Sequence, residues 1–420
     1  MASLKKKALE LVLSNPVTRT LARDGVNGAK ALRYRLRTRG IHTQPKTILF
    51  CTFSGKGYSD SPRAIYEYMR DLAAYQEYRF VWAFQQPDRF PQVVAHPRTT
   101  VVKYGSPAFE RAMAEAGYWI QNFRVADHIW PKQNQTYVEC WHGTPLKRLG
   151  YDLVDSDNVM NSTREIRQKY DLDAAKFSYL LSPSPFATQA FTSAWNLTAR
   201  GKEGAVLEAG YPRNDFLHNY TPQDREAILQ RLRVTPEEIG GRKIILYAPT
   251  WRDNQHDAVL GYTYELGVDF DRLQKALGEE FVILFRAHYL VASHFDFAKY
   301  AGFVWNVSDA PDINDLYIAA DLLVTDYSSV FFDYANLERP MVFYMYDLAD
   351  YRDDIRGFYF GLEELPGPIV QTEDALIDAI RQESRHFTCG EKYRAFRQKF
   401  NPLDDGHASQ RVIEAVLKGQ

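Results

Sequence analysis

Cysteine is nearly absent. Three residues in 420, Cys51, Cys140 and Cys389, stand far apart and without CxxC spacing. That excludes a disulfide framework and a structural zinc site, and points to a reducing compartment. Cys51 and Cys140 lie in apolar runs, where a thiol acts as a small buried hydrophobe. Long apolar stretches are also missing: none approaches the ~18–20 residues of a membrane-spanning helix. The start, MASLKKKALELVLS, is basic, but Glu10 breaks the apolar run a signal peptide needs. Internal repeats and low-complexity segments are absent. There is no GxxxxGK[ST] loop, so ATP chemistry is not indicated, and no HExxH.

What is present is an ordinary globular composition, 45% hydrophobic and 25% charged, in a length that suits two or three domains. Aromatic content is high at 14%. The net charge of −2 conceals an asymmetry: residues 1–46 carry eleven Lys and Arg against Glu10 and Asp24, a +9 arm on a −11 body. In the arm, Leu4, Leu9, Val12, Leu13, Val17 and Leu21 recur at near-helical spacing. Ala29 to Arg39 then alternates Arg with Leu32, Tyr34 and Leu36. Such a segment suits an anionic membrane surface, each Lys or Arg near it contributing on the order of 1 kcal/mol. The alternative is a helix packed on the first domain. Nucleic-acid binding is not expected, because the positive charge is confined to the arm.

Beyond Thr47, short apolar runs alternate with helical patterns. Strands are predicted at 48–53, 80–84, 100–102, 118–120, 137–141 and 178–181, and again at 243–248, 281–285, 303–305, 322–325 and 341–344. Helices are predicted from Pro62 to Tyr75 and from Pro107 to Ala116. Residues 152–173 read as a polar stretch, and Gly240-Gly241 as a boundary. Alternation of this kind makes parallel, doubly wound α/β sheets. Two such domains in tandem leave a cleft, and ligands sit beyond the carboxyl ends of the strands.

The candidate chemistry therefore lies at strand ends. TYVECWHGTPLK puts His142 just past an apolar run. Imidazole is matched to proton transfer near neutral pH, while the competing reading makes Thr144 and Pro145 the start of a helix. FVILFRAH ends in Arg286 and His288, two residues apart, suited to a phosphate. In DLLVTDYSSVFFDYANLERP a strand ends at Thr325-Asp326, and Ser328-Ser329 opens a helix reaching about Leu337. Its free N–H groups and two hydroxyls would take a diphosphate, with ordinary Ser/Asp capping as the alternative. IILYAPTWRD sets Thr250 and Arg252 at another strand mouth. FCTFSGKGYSDSPRA sets Gly55 and Lys56 after the first strand, as a basic turn touching an acceptor phosphate or as a plain loop. Asp152 is a further acceptor-side candidate. Three DxD triplets, at 155–157, 171–173 and 269–271, follow no apolar strand, so a metal-independent reaction without a cofactor is expected.

WHGTPLK, GYPRND, YAPTWRD, RAH and TDYSSVFFDYANLERP, in this order, resemble the CDP-glycerol glycerophosphotransferase family of teichoic-acid synthesis; FSGKGYSDSPRAIYEYM and DDGHASQRVIEA resemble its end segments. The resemblance covers roughly residues 47–415. It implies a GT-B fold: two Rossmann-like domains facing across a cleft, preceded here by the basic helical arm. The expected division is arm 1–46, acceptor domain 47–235, CDP-donor domain 236–385, and helices 386–420 returning to the first domain. It implies transfer of glycerol phosphate from CDP-glycerol to a hydroxyl of a polyprenyl-linked acceptor, with CMP released, at the cytoplasmic face of a bacterial membrane. His142 would be the catalytic base. His288 would steady the transferred phosphoryl group or the leaving CMP, with Arg286 beside it, and Asp326, Ser328 and Ser329 would hold the diphosphate. No further glycosyltransferase domain accompanies these motifs, so single addition and polymerisation both stay open. So do CDP-ribitol as donor and, as a different class, a GT-B glycosyltransferase using a UDP- or GDP-sugar.

Overall fold

The computed structural model describes residues 16–153, 162–250, 256–257, 261–262, 267–286, 296–348 and 357–418. His288, Trp251, Arg252, the arm before residue 16 and the triplet at 155–157 lie outside the described residues.

The first sheet contains β1 (Gln44–Cys51), β2 (Arg79–Phe84), β3 (Thr99–Lys103), β4 (Ala116–Gln121), β5 (Thr136–Glu139), β6 (Tyr179–Ser182) and β7 (Val206–Glu208). Every pairing is parallel, in the order β3-β2-β1-β4-β5-β6-β7. Next come β8 (Lys243–Ala248) and a small antiparallel pair, β9 (His256–Asp257) with β10 (Gly261–Tyr262). The second parallel sheet adds β11 (Phe281–Phe285), β12 (Val304–Asn306), β13 (Leu322–Thr325), β14 (Met341–Tyr344) and β15 (Ile369–Val370), ordered β12-β11-β8-β13-β14-β15. A parallel sheet is covered on both faces, so its strands are apolar throughout rather than alternating. β4, β11 and β13 are buried at every position.

Each sheet separates two apolar cores. Phe50, Tyr66 and Trp82 fill one side of the first sheet, and Trp119, Phe177 and Trp195 the other. The last helix, Ala408–Lys418, packs Val412, Ile413 and Val416 into the first of these, so the chain ends on the domain where it began. Cys51 and Cys140 are buried core residues whose thiols burial pushes up, Cys51 to about 12.

In both sheets the chain direction across the sheet reverses at one point, between β1 and β4 in the first and between β8 and β13 in the second. At such a switch point the loops leaving neighbouring strands part and open a crevice. Residues 52–59 leave β1, Asn122 leaves β4, Thr250 leaves β8 and Asp326 leaves β13. His142 and Arg286 leave the adjoining strands β5 and β11.

The basic arm enters as a helix, Pro16–Thr38. Tyr34 is buried in the core beside Phe109, and Arg33 and Arg37 both pair with the buried Glu110, at 3.1 and 2.9 Å. The opposite side leaves Val26, Leu32 and Leu36 more than half exposed. The alternation of Arg with Leu and Tyr thus divides the helix: Tyr34 goes to the domain, the leucines to solvent.

Two strand ends differ from the sequence reading. Phe53 is not in β1; it opens a tight 3-10 turn, Phe53–Gly55, in which Phe53, Ser54 and Gly55 all have positive φ (45°, 56° and 82°). No helix follows His142 either. Residues 143–149 are irregular, so Thr144 is not a helix cap.

Candidate active site

His142 stands three residues past β5, its ring open to the cleft and walled by Trp141, Phe123 and Phe53, with ring centroids at 4.2, 6.0 and 6.2 Å. Trp141 before it has φ +53°, a conformation that costs a bulky residue energy and persists only when the surroundings enforce it. The enforcement comes from Glu139, whose carboxylate accepts the Trp141 N–H at 2.9 Å and the Tyr137 hydroxyl at 2.5 Å. Burial pushes Glu139 up to about 8. The backbone is thus bent at Trp141 so that the next side chain faces the cleft.

Nδ1 of His142 is 3.2 Å from the Asn122 carbonyl oxygen. A carbonyl only accepts, so this contact assigns the proton to Nδ1 and leaves the Nε2 lone pair free. Protein packed behind the ring lowers its pKa, against an upward pull from Asp60, so the imidazole is neutral at neutral pH. Asn122 is fully buried, and its Oδ1 also accepts the Phe53 N–H at 2.9 Å. It ties the histidine to the strained turn after β1.

The opposite wall comes from the second domain. Ser329 precedes the helix Val330–Tyr334 and a 3-10 turn, Ala335–Leu337, and its hydroxyl makes no capping bond. It approaches so closely that a Cβ on Gly143 would sit 2.8 Å from Ser329 Oγ. His142, Asp60, Arg213, Arg286, Asp312, Ser329 and Asp333 line one cavity of about 210 Å³. Gly143→Ala is therefore expected to push the two walls apart and raise the KM for donor several-fold in steady-state assays. An unchanged KM would show that the close approach is not used.

Of the residues singled out from sequence, His142, Arg286 and Ser329 meet in this cavity. Arg286 donates to the Ala310 carbonyl at 3.1 Å, and burial pulls its guanidinium down. Asp326 and Thr250 pair with each other across the second switch point, the carboxylate accepting the Thr250 N–H at 2.9 Å and its hydroxyl at 2.5 Å. The buried Asp326 therefore braces the loop after β8. Ser328 is half-buried beside Ser329 and does not line the cavity. Lys56 is exposed and off the cavity wall. Gly55, at φ +82° and with Tyr104 Cβ 2.9 Å from where its own Cβ would be, is a packing requirement, so the loop is a built turn and not a plain one. Asp152 accepts from the hydroxyls of Ser193 and Tyr359, the second reaching it across the domain contact. The DxD acids that are described are spoken for: Asp171 by Tyr151 and Arg200, Asp173 by Arg124, Asp269 as a helix cap, Asp271 by Lys299.

Five residues of the site were not among the sequence candidates: Asp60, Asn122, Arg213, Asp312 and Asp333. Arg213 is the hub. Its guanidinium forks Asp333 with two bonds of 3.0 Å, and Asp60 lies 3.7 Å from its third nitrogen. Burial would lower Arg213, but Asp333 and Asp60 outweigh it and hold the group charged. Asn214 bonds Asp333 at 3.0 Å and Asp404 at 2.6 Å, and the Asn314 amide donates to the Arg213 carbonyl. A buried ionic network thus joins the GYPRND segment to the second domain.

Two parallel-sheet α/β domains with their switch-point crevices facing one cleft define a GT-B architecture. A solved structure of the wall teichoic acid polymerase TagF superposes with a TM-score of 0.81 at 36% identity, covering all of this chain and 98% of that one. Another, of a TagF variant soaked with CDPG, gives 0.83 at 35%, with 96% of each chain covered. Residues 32–418 match the family described as CDP-Glycerol:Poly(glycerophosphate) glycerophosphotransferase, and the chain belongs to that family. A teichoic acid glycerol-phosphate transferase of Staphylococcus aureus (strain NCTC 8325 / PS 47) is 39% identical over 88% of this chain and 92% of its own length. A teichoic acid poly(glycerol phosphate) polymerase of Bacillus subtilis (strain 168) is 39% identical over 89% of this chain. The chain spans about half the length of that polymerase and of a Staphylococcus epidermidis relative (49% and 52%). The resemblance seen in the motifs and the two-domain fold expected from it are both borne out.

Proposed function

We propose that this protein transfers glycerol phosphate from CDP-glycerol to a hydroxyl of a polyprenyl-linked acceptor or growing teichoic-acid chain, releasing CMP. The observation that carries the reading is His142: a neutral imidazole whose Nε2 lone pair opens into a cavity shared with Arg286, Arg213 and Ser329. Nε2 takes the proton of the acceptor hydroxyl, whose oxygen bonds to the β-phosphorus. The bond from that phosphorus to the bridging oxygen breaks, and its electron pair leaves on CMP. Catalysis is by positioning, by general base and by electrostatic stabilisation of the transferring group. Arg286 and the Ser329 hydroxyl supply cation and donor, Asp326 acts indirectly by holding Thr250, and no cofactor or metal takes part in the scheme. Arg252, Ser328 and His288 belong to the donor side in this reading, His288 as the partner that steadies the phosphoryl group or CMP. The same reading keeps residues 47–235 as the acceptor side and 236–385 as the donor side.

Family members named for ribitol phosphate are more distant, a Bacillus spizizenii polymerase being 29% identical over 68% of the chain. The glycerol-phosphate relatives match at 36–39% over 88–92%, which favours CDP-glycerol over CDP-ribitol. With CDP-glycerol, CMP is expected only when a lipid-linked acceptor is also present. CMP release without an acceptor would mean hydrolysis and would overturn the transferase reading.

The protein is placed in this reading at the inner surface of the membrane. Among the described residues no helix is long and apolar enough to cross a membrane. Support comes from the exposed Leu32 and Leu36, flanked by Arg35 and Arg39 on the face turned away from the domain. Leu32→Ser/Leu36→Ser is expected to weaken binding to anionic vesicles in a flotation assay, more visibly at high salt where the arginine attraction is screened. Unchanged flotation would remove this face from membrane binding.

A further inference from the structure

Three carboxylates in the wall of the cleft, Asp60, Asp312 and Asp333, have no part in the reaction as written, and two of them are paired at hydrogen-bond distance, Asp312 with Arg63 and Asp333 with Arg213. Asp60 opens the helix Asp60–Arg70 with φ +61°, and its side chain is 8% exposed. Among the described residues, seven non-glycine positions have positive φ; Phe53 and Asp60 of these line this cavity, and Trp141 directly precedes His142. Strained backbone gathered at one place marks side chains aimed for a purpose. Asp60 shares the cavity wall with His142.

The Asp60 carboxylate accepts the Ser61 N–H and, among the described residues, has no cation within hydrogen-bond distance, and burial pushes its pKa up against the downward pull of Arg213. Arg213 is the nearest cation, but two of its nitrogens are taken by Asp333, and the third stands 3.7 Å from the Asp60 carboxylate, beyond hydrogen-bond distance. Asp312 faces Asp60 as a like charge and is itself paired with Arg63 at 3.1 Å. Glu139, the last residue of β5, is held by the Tyr137 hydroxyl and the Trp141 N–H, Asp333 is forked by Arg213, and Arg286 lines the cavity from the second domain. The Asn122 side chain faces Asp60, while its carbonyl fixes His142. When His142 takes a proton, the Asn122 carbonyl gains no charge to answer it, and the anion on the same wall is Asp60.

We propose that Asp60 is a positioning residue that acts as counter-ion to His142, stabilising the imidazolium formed as the acceptor proton is taken, with Asn122 holding both in register. The inference rests on the reading of His142 as the base. Burial pulls the histidine's pKa down, an ionised Asp60 draws it toward its protonated form, and Arg213 opposes that.

The test uses the full chain labelled with ¹³C at the histidine rings, with His142→Asn to assign the resonance. In Asp60→Asn, which keeps the side chain's size, the His142 titration without substrate is expected to move to lower pH by about one unit. The acid limb of kcat/KM should move with it, and kcat should fall about tenfold or more. Asp60→Glu should return part of both shifts. A His142 titration and acid limb that superpose on wild type would overturn the proposal, whatever happens to the rate. So would complete loss of turnover in Asp60→Asn with His142 titrating as before, which would make Asp60 the proton acceptor. Full CMP release by His142→Asn would instead defeat the reading of His142 and leave the titration of the wild-type pair to be judged separately.

Discussion

His142→Ala is expected to lower CMP release by about 10²–10⁴-fold, the usual contribution of a general base, with little change in melting temperature. The ring is open to the cleft and meets its surroundings through aromatic edges and one backbone contact, so removing it costs about 1 kcal/mol or less. The effect falls on kcat rather than KM, because the proton moves only in the transition state. The pH profile follows from the same geometry. A base must be unprotonated, and burial holds His142 below the ordinary 6.5, so the acid limb of kcat/KM is expected below that value. Steady-state CMP release against pH for the wild type, and at one pH for the variant, checks both. A variant within twofold of wild type would remove His142 from the chemistry.

The largest stability effect is expected at Asp333. Asp333→Ala leaves the Arg213 guanidinium buried without its fork, and breaking one partner of a buried pair costs about 3–5 kcal/mol. Asn214 loses an acceptor in the same step. Urea unfolding should show the midpoint fall sharply. Pairing the change with Arg213→Met removes the stranded charge, so the double variant is expected to unfold at higher urea than Asp333→Ala alone. If the two variants unfold together, the network is not the tie between the domains that its geometry describes. Both variants should also lose activity, since Arg213 lines the cavity beside His142.

Much of the scaffold was legible. β8, β11, β13 and β14 match their expected runs, because a strand covered on both faces is apolar from end to end and stands out between helices. β7 and β15 were missed; at three and two residues they carry too little pattern. The helix Thr163–Lys176 begins inside the polar stretch at 152–173 and runs past its end, its start signalled by a capping box between Ser162 and Glu165. That signal was present and stronger than the low hydrophobicity around it. At the site, strand-end placement identified His142, Arg286 and Ser329, which depend only on where a strand stops. Asp60, Arg213 and Asp333 depend on approaches across 120 residues or more of chain, and nothing local in SDSPRA or GYPRND announces them. For Asp326 a strand end showed an acid at the cleft but not its pairing with Thr250 across the switch point, which depends on two strands 76 residues apart lying side by side.

The central claim, transfer of glycerol phosphate from CDP-glycerol, is tested most directly by nucleotide release from a panel of CDP-glycerol, CDP-ribitol, a UDP-sugar and a GDP-sugar, each supplied with the same lipid-linked acceptor. The expected result is CMP from CDP-glycerol at a rate well above that of every other donor, with the acceptor gaining glycerol phosphate. CMP from CDP-ribitol alone, or UDP or GDP from a sugar donor with none from CDP-glycerol, would contradict it.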